Sequence, residues 1–246
     1  MTNTQRRTAI VTGASRGIGA AIARRLAHDG VAVVINYARA REDAEQLTQA
    51  IERDGGVAIA VQADIAGPGG IRQLFDAAEQ KFGGADILVN NAGVMKLAPI
   101  AETDDASFDS HVAINLAGVF RGMREGARRL REGGRIISFS SSVVGVYGPG
   151  YGIYAATKAA VEAMTHVLAK ELGPRRITVN AVAPGPVETA LFMTGKSPEQ
   201  VAAISRTIPL GRLGKPDDIA ALVAFLAGPD GGWVNGQVIR ANGGMI

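Results

Sequence analysis

The sequence predicts an α/β fold in which one doubly wound sheet of about seven parallel strands is covered by helices on both faces. Short apolar segments alternate with longer helix-like segments along the chain, as in repeated strand–helix units. Several predicted strands are continuous apolar runs, which is typical of a parallel sheet buried on both faces. No linker, repeat or change in composition divides the 246 residues, so we expect a single domain over residues 1–246.

The predicted elements follow in order along the chain. The apolar segments place strands at residues 8–11, 31–35, 57–61, 86–89, 135–140, 177–180 and 237–240. Helical periodicity and small-residue composition place helices at residues 17–27, 42–54, 71–82, 104–130, 152–172 and 216–226. The longest segment without a predicted element, residues 183–206, follows a strand and lies near its carboxyl end, the edge where open parallel sheets bind ligands.

The composition excludes several classes of function. Hydrophobic residues make up 47% of the chain and charged residues 20%, enough for a large core. No apolar run approaches the roughly 18–20 residues of a membrane helix and no signal peptide is evident, so we expect a soluble cytoplasmic protein without a membrane partner. The absence of cysteine excludes disulfides, thiolate metal sites and a cysteine nucleophile.

The charge pattern does not indicate a nucleic-acid partner. The net charge is only +3, and the cluster of Arg128, Arg129 and Arg131 is flanked by Glu125 and Glu132. This pattern is more typical of a solvated helix end than of a phosphate-binding surface. The three histidines are far apart in the sequence, without the spacing of metal ligands, so we expect no metal site.

A glycine-rich turn follows the first predicted strand and opens the first helix. Glycines spaced as G-x-x-x-G-x-G let phosphate oxygens approach bare N–H groups at the positive end of a helix dipole. The turn lacks the Gly-Lys-Ser/Thr ending of a nucleotide-triphosphate loop, so it predicts a dinucleotide site rather than an ATPase. The expected contacts are Gly13, Ser15, Arg16, Gly17, Ile18 and Gly19.

The end of the second strand bears on the choice of cofactor. It carries Arg39 and no carboxylate that would bind a ribose 2′-hydroxyl, and Arg16 lies in the turn nearby. Because two guanidinium groups can clamp a 2′-phosphate, we expect NADP(H) to be preferred, with NAD(H) still possible if both arginines only face solvent. The further residues expected at this end of the site are Asn36, Tyr37, Ala38, Asp64 and Ile65, although Asp64 could instead cap the next helix.

A serine cluster and a Tyr/Lys pair carry the expected chemistry. Tyr154 and Lys158 are four residues apart on a predicted helix, so their side chains leave the same face. We expect the ammonium to lower the pKa of the phenol and make Tyr154 a general acid, with a serine hydroxyl from the preceding strand holding the substrate oxygen. Taken alone, the pair is better explained as a half-buried tyrosine beside a solvated lysine, as most such pairs on helices are.

Together these motifs resemble the short-chain dehydrogenase/reductases, particularly the group that includes 3-oxoacyl-acyl-carrier-protein reductases. The resemblance covers nearly the whole chain and implies a Rossmann-type fold with hydride transfer between a nicotinamide and a carbonyl or alcohol carbon. It rests on the glycine turn at residues 12–19, Asp64, the segment 90–93, Asn115, the serines 140–142, Tyr154 with Lys158, and the segment 184–189.

The resemblance implies a role for each matching position. Tyr154 would be the proton donor, Lys158 would lower its pKa and hold the nicotinamide ribose, and Asn115 would anchor a water in a proton relay. The segment after the fourth strand, Asn91, Ala92 and Gly93, would lie close to the adenosine ribose of the cofactor. The nicotinamide carboxamide and the pyrophosphate would be bracketed by Pro184, Gly185, Val187 and Thr189.

The catalytic serine is left open between two neighbours. Ser141 stands thirteen residues before Tyr154, the spacing usual in the family, whereas Ser142 directly precedes the Val143-Val-Gly145 segment that suits a catalytic serine. We prefer Ser141, keep Ser142 as an alternative, and expect Ser140 to point the other way.

Three functions fit the sequence: an NADPH-dependent 3-oxoacyl-type carbonyl reductase, a sugar or polyol dehydrogenase on the same fold, and a non-catalytic dinucleotide-binding module. A modestly apolar substrate pocket under a movable lid at residues 191–206 is expected from Met95, Tyr147, Tyr151, Leu191, Phe192 and Met193. The apolar, glycine-rich C-terminal segment around Trp233 belongs, by resemblance, at a subunit interface, so a homotetramer is expected.

Overall fold

The protein is described by a computed structural model over residues 6–246. Seven parallel strands form one sheet in the order β3-β2-β1-β4-β5-β6-β7, which confirms the predicted fold class. The strands are β1 (Thr8–Val11), β2 (Ala32–Tyr37), β3 (Val57–Gln62), β4 (Ala85–Asn90), β5 (Leu130–Phe139), β6 (Thr178–Pro184) and β7 (Val238–Ala241).

Helices cover both faces of this sheet. They are α1 (Gly17–His28), α2 (Arg41–Arg53), α3 (Gly70–Phe82), α4 (Asp105–His111), α5 (Val119–Arg129), α6 (Val143–Val146), α7 (Gly152–Glu171), α8 (Ala190–Met193), α9 (Pro198–Thr207) and α10 (Pro216–Ala227). A π-helical turn, Val112–Gly118, joins α4 to α5. Across residues 6–246, no helix combines the length and apolarity needed to cross a membrane.

The sheet separates two apolar clusters. Side chains of α1, α2 and α10, such as Leu26, Leu47 and Val223, pack on one face, and those of α3, α5 and α7, such as Phe75 and Met123, pack on the other. Burial on both faces explains why the strands read as continuous apolar runs. The strand order reverses between β1 and β4, so the crevice at their carboxyl ends is the expected ligand site.

Two predicted elements differ from the structure. The helix expected over residues 104–130 is interrupted by the π-helical turn and ends at Arg129, because Leu130 already begins β5. The segment expected to be irregular, residues 183–206, contains the end of β6 and the helices α8 and α9. Helix α9 begins with a capping box between Ser197 and Gln200, a start signal that composition alone did not reveal.

Candidate active site

The glycine turn between β1 and α1 is packed directly against β4. Gly13 has φ +61, and a Cβ on it would lie 2.9 Å from Ala92 Cα. A Cβ on Gly19 would lie 2.6 Å from Asn91 Nδ2, so neither position has room for a side chain. Asn91 Nδ2 in turn donates to Thr12 O at 2.9 Å and to Gly13 O at 3.1 Å, which fixes the turn to β4.

The first turn of α1 is open to an anion. Its N-cap residue, Arg16, makes no side-chain capping bond, so no cap side chain covers the first N–H groups of the helix. Gly17 has φ +57, and a Cβ there would come within 3.5 Å of Thr189 Cγ2, so the turn and the segment after β6 face each other closely. An uncapped helix start, a glycine cradle and the adjacent arginine fit a dinucleotide pyrophosphate. The partly buried Ser15 and Ile18 lie within the same turn.

The cofactor residues predicted at the end of β2 fall into a buried group and an exposed group. Asn36 and Tyr37 are buried, and Asn36 Oδ1 accepts from Gly13 N at 3.1 Å while its Nδ2 donates to Ala63 O at 2.9 Å. The Asn36 side chain therefore supports the glycine turn from beneath instead of facing a ligand, which corrects its expected role. Ala38 and Arg39 are exposed beyond the strand and remain accessible to a ligand.

The two cofactor residues predicted at the end of β3 also differ in exposure. Asp64 is exposed, and its Oδ1 accepts from Ala66 N at 2.9 Å in a local turn. Ile65 is buried, with its Cδ1 atom 2.9 Å from where a Cβ on Gly118 would lie. Only Asp64 therefore has a side chain placed to meet a cofactor, and Ile65 packs against the π-helical turn.

Tyr154, Ser141 and Lys158 meet at the carboxyl end of β5. The Ser141 hydroxyl lies near that of Tyr154, close enough to lower the pKa of the phenol by hydrogen bonding. Lys158 is buried; its Nζ lies 5.6 Å from the centroid of the Tyr154 ring and donates to Phe139 O at 2.8 Å. The structure thus brings together the two hydroxyls and the cation predicted from the sequence.

The expected direction of the Tyr154 pKa is wrong for this structure. Burial raises the pKa of Tyr154 to about 12, and the Ser141 hydrogen bond offsets only part of that rise. Burial also lowers the pKa of Lys158 to about 8, because an ammonium is poorly solvated there. Tyr154 therefore carries its proton at neutral pH, as a proton donor must.

The neighbouring serines have other partners. Ser142 Oγ donates to Ala183 O at 2.9 Å and accepts from Asn242 Nδ2 at 3.0 Å. Ser140 Oγ donates to Glu162 Oε1 at 2.6 Å, away from Tyr154. Of the three hydroxyls, that of Ser141 acts on Tyr154, and Ser140 and Ser142 are bonded elsewhere; the role of Ser141 as the catalytic serine stays a prediction.

Asn115 lies in the π-helical turn and clamps the loop after β4. Its Oδ1 accepts from Val94 N at 2.8 Å and its Nδ2 donates to Val94 O at 2.8 Å. A Cβ on Gly93 would lie 3.3 Å from Asn115 Oδ1 and 3.6 Å from Lys158 Nζ, so Gly93 passes between these side chains. Asn115 thus positions the loop beside Lys158, and its expected part in a water relay stays a prediction.

The segment after β6 completes the crevice. Pro184 O accepts from Ser142 N at 2.9 Å, and Gly185 N donates to Ala241 O at 3.0 Å, which ties this segment to the serine loop and to β7. Val187 is buried, and Thr189 caps α8 by accepting from Phe192 N. The four predicted residues Pro184, Gly185, Val187 and Thr189 therefore follow one another along the same edge.

Apolar side chains surround the expected substrate side. Tyr151 is half-buried, with its ring centroid 6.5 Å from that of Tyr154. Met95 is partly buried, while Leu191 and Met193 of α8 are exposed. Tyr147, which ends α6, is 66% exposed with a left-handed φ of +49, a conformation unfavourable for a bulky side chain.

Two residues of this region were not found from the sequence. Asn242 reaches Ser142 across a sequence separation of 100, for which no local pattern gives a signal. His111 is buried with its ring centroid 6.4 Å from that of Tyr154. Its spacing of four residues before Asn115 on a predicted helix is the signal that could have placed it on the same face.

Comparison with known proteins identifies the family. A family model described as Enoyl-(Acyl carrier protein) reductase matches residues 13–246. A short-chain type dehydrogenase/reductase of Picea abies is 49% identical over 98% of this chain and 92% of its own length. An "NADPH-dependent aldehyde reductase-like protein, chloroplastic" of Arabidopsis thaliana is 46% identical over 98% of this chain and 94% of its own length.

The solved structures agree with these relatives. A short chain dehydrogenase from Burkholderia cenocepacia J2315, crystallised in complex with NADP, superposes with a TM-score of 0.92 and 42% identity, and the match covers 99% of each chain. The relatives of this chain are thus dehydrogenases and reductases. The chain itself has the sheet order, the glycine turn and the group formed by Ser141, Tyr154 and Lys158. The chain belongs to the short-chain dehydrogenase/reductase family and is an NAD(P)-dependent oxidoreductase acting on carbonyl or hydroxyl groups.

Proposed function

We propose that this protein is an NADPH-dependent reductase of ketones and aldehydes, with 3-oxoacyl thioesters as the substrate type, and that Tyr154 is the proton donor. The observation that carries this proposal is the placement of the Tyr154 phenol next to Ser141 and over the buried Lys158, whose Nζ lies 5.6 Å from the centroid of the Tyr154 ring. A protein that only bound a dinucleotide would have no need of a protonated phenol in that position.

The choice of NADP(H) is supported by the charges at the β2 end. Arg39 and Arg16 are exposed near the end of β2 and the start of α1, and the residues between β2 and α2, 38–40, include no carboxylate. Guanidinium groups bind a ribose 2′-phosphate, whereas an acidic residue there favours the free 2′-hydroxyl. A relative named for NADPH and a neighbour crystallised with NADP point the same way.

The glycine turn and Lys158 would hold the cofactor, which would supply the hydride for the carbonyl carbon when bound. The Ser141 and Tyr154 hydroxyls bind the carbonyl oxygen and stabilise the negative charge that develops there. Tyr154 then transfers its proton to that oxygen, which leaves a phenolate close to Lys158. With a pKa of about 8, Lys158 gives up a proton readily enough to help restore the phenol.

A comparison of substrates tests the proposed direction and class. The protein is incubated with NADPH and an acetoacetyl thioester or a small aldehyde, and separately with NADP⁺ and glucose. We expect turnover of the carbonyl substrates. Turnover of glucose alone would favour the sugar or polyol dehydrogenase, and NADPH binding without any turnover would favour the non-catalytic module.

Substitution of Tyr154 by phenylalanine tests the assigned proton donor. We expect kcat to fall by a factor of at least about 100, with NADPH affinity unchanged, because only the acid is removed. The matched control is Tyr151→Phe, which removes a neighbouring hydroxyl and should leave kcat nearly intact. Full turnover by Tyr154→Phe on a broad carbonyl panel would refute the proposal.

The proposal includes a cytoplasmic homotetramer. A cysteine-free chain suits a reducing compartment, although it is not restricted to one. Trp233 is 98% exposed in the single chain, and Phe120 of α5 is 48% exposed, which suits surfaces covered by other copies of the chain. Sedimentation equilibrium measures the assembly, and a monomer at micromolar concentration would contradict it.

A further inference from the structure

The loop after β4 contains a short segment, residues 94–96, that two side chains fasten to one helical face. We call this segment the strap. Asn115 holds its first residue through both backbone atoms of Val94. His111, four residues earlier, holds its last residue, because His111 Nε2 accepts from Lys96 N at 3.2 Å. The strap begins directly after Gly93, which lies between Asn115 and Lys158.

The hydrogen bonds of His111 define its tautomer. Its Nδ1 lies 2.8 Å from Ser107 O, and a carbonyl oxygen can only accept, so Nδ1 carries the proton. Nε2 is then free to accept from the Lys96 amide. Both ring nitrogens are used, and the residue is only 2% exposed, so the His111 side chain is fully bonded within the protein.

The strap would be poorly held without this bond. A cavity of about 290 Å³ lies against it, lined by the strap together with His111 and residues of α4, so packing alone does not fix the strap there. The other tie at this end joins Lys96 Nζ to Asp104 Oδ2 at 3.3 Å, and both side chains are exposed. An exposed ion pair of this kind contributes little, so the buried His111 bond is the stronger tether.

His111 also contacts the catalytic phenol. Its ring meets the Tyr154 ring edge to face, with an interplanar angle of 78°. The same side chain therefore touches the proposed proton donor on one side and fastens the strap on the other. A displacement of the strap would change the position of Met95 relative to Tyr154.

We propose that His111 is a positioning residue that, together with Asn115, fixes the strap as a wall of the substrate pocket beside Tyr154. Nothing in the reaction requires a proton from His111; its contribution is a buried acceptor for Lys96 N. The kinetic part of this inference rests on the proposed function, whereas the position of the strap does not.

Two isosteric substitutions separate the two bonds of His111. In His111→Gln the side-chain oxygen can take the place of Nε2 and accept from Lys96 N. In His111→Asn the side-chain NH₂ can take the place of Nδ1 and donate to Ser107 O, but nothing reaches Lys96. Both variants lose the contact with the Tyr154 ring, and each keeps a different one of the two bonds, so protection of the Lys96 amide itself reports the strap bond.

The first measurement is amide hydrogen exchange of the cofactor-free protein. We expect the Lys96 amide to exchange roughly tenfold faster in His111→Asn than in wild type and to be largely protected in His111→Gln. The internal control is the Ala98 amide, which donates to Gly150 O at 3.1 Å and does not involve His111. Equal protection of Lys96 in both variants would overturn the tether, whatever reaction the protein catalyses.

The second measurement is the split between KM and kcat for a carbonyl substrate at saturating NADPH. We expect KM to be about three- to tenfold higher in His111→Asn than in His111→Gln, the effect of one neutral hydrogen bond, with kcat similar in the two variants. Equal KM values would overturn the pocket-wall role. An inactive wild-type protein would refute the proposed function and leave the exchange result to decide the tether.

Discussion

Replacing Lys158 with methionine is expected to stabilise the cofactor-free protein at neutral pH. Lys158 is 3% exposed, and burial lowers its pKa from 10.5 to about 8. At about 1.4 kcal/mol per pH unit, holding the ammonium in this site costs about 3 kcal/mol below pH 8. The substitution also removes the donor to Phe139 O, which costs about 1 kcal/mol, so the net gain is about 2 kcal/mol.

The pH dependence has a definite sign. Between its folded pKa of about 8 and its ordinary value of 10.5, Lys158 binds more protons in the unfolded state than in the folded state. Wild-type stability therefore rises with pH across this window, while the methionine variant lacks this contribution. The advantage of Lys158→Met should be greatest below pH 8 and should shrink as the pH approaches 10.5.

Thermal unfolding at fixed protein concentration from about pH 6.5 up to 10.5 measures the effect below that window and across it. For a chain of this size, 2 kcal/mol corresponds to a Tm increase of roughly 4–8 °C near pH 7, accompanied by loss of turnover. The control is Lys170→Met, an exposed lysine on the same helix, for which we expect little change. A lower Tm for Lys158→Met at pH 7, or a difference that does not vary with pH, would refute the reasoning.

Five further substitutions test the cofactor preference, the serine assignment and the strained turn. Arg39→Asp should shift the ratio of kcat/KM from NADP(H) towards NAD(H) by at least about tenfold, and an unchanged ratio would contradict its role. Ser141→Ala should lower kcat by about 100-fold, whereas Ser142→Ala should mainly cost about 1–2 kcal/mol of stability; the reverse pattern would exchange their assignments. Tyr147→Gly should relieve up to about 1 kcal/mol of strain, seen as a higher Tm, while raising KM for bulky ketones. The control is Arg176→Gly, because Arg176 is the other non-glycine residue with a positive φ among the described residues. This variant should raise Tm without changing KM. A change of KM in both variants would contradict the role of Tyr147 in the pocket.

The elements that depend on local pattern were predicted well. The glycine turn was recognised because its spacing, the strand before it and the helix after it are contiguous in sequence. The helix carrying Tyr154 and Lys158 was predicted with nearly the bounds of α7, Gly152–Glu171, since four-residue spacing alone puts both side chains on one face.

Predictions that depended on burial were less successful. The Tyr/Lys spacing shows that the two side chains are neighbours, but it does not show how far each is removed from water. Desolvation, the dominant cause here, raises the pKa of Tyr154 and lowers that of Lys158. Asn36 was misassigned for the same reason, because only the packing of β2 under the glycine turn shows that its amide faces inward.

Backbone irregularities also escaped prediction. The apolar periodicity over residues 104–130 continues smoothly through the π-helical turn, yet that turn presents Asn115 to Val94. The choice between Ser141 and Ser142 fell at the end of β5, where strand alternation no longer applies. Partners distant in sequence, Ala183 and Asn242, occupy the Ser142 hydroxyl, which supports Ser141.

By itself, the sequence determined the parallel α/β architecture, the position of the glycine turn and the identity of the Tyr154 and Lys158 pair, because each depends on residues close together in the chain. Only the tertiary structure decided which serine meets the phenol, how the strap is held by His111, and in which direction burial moves the two pKa values. Those properties arise from contacts between segments far apart in the sequence and from the exclusion of water between them, and neither is encoded in local spacing.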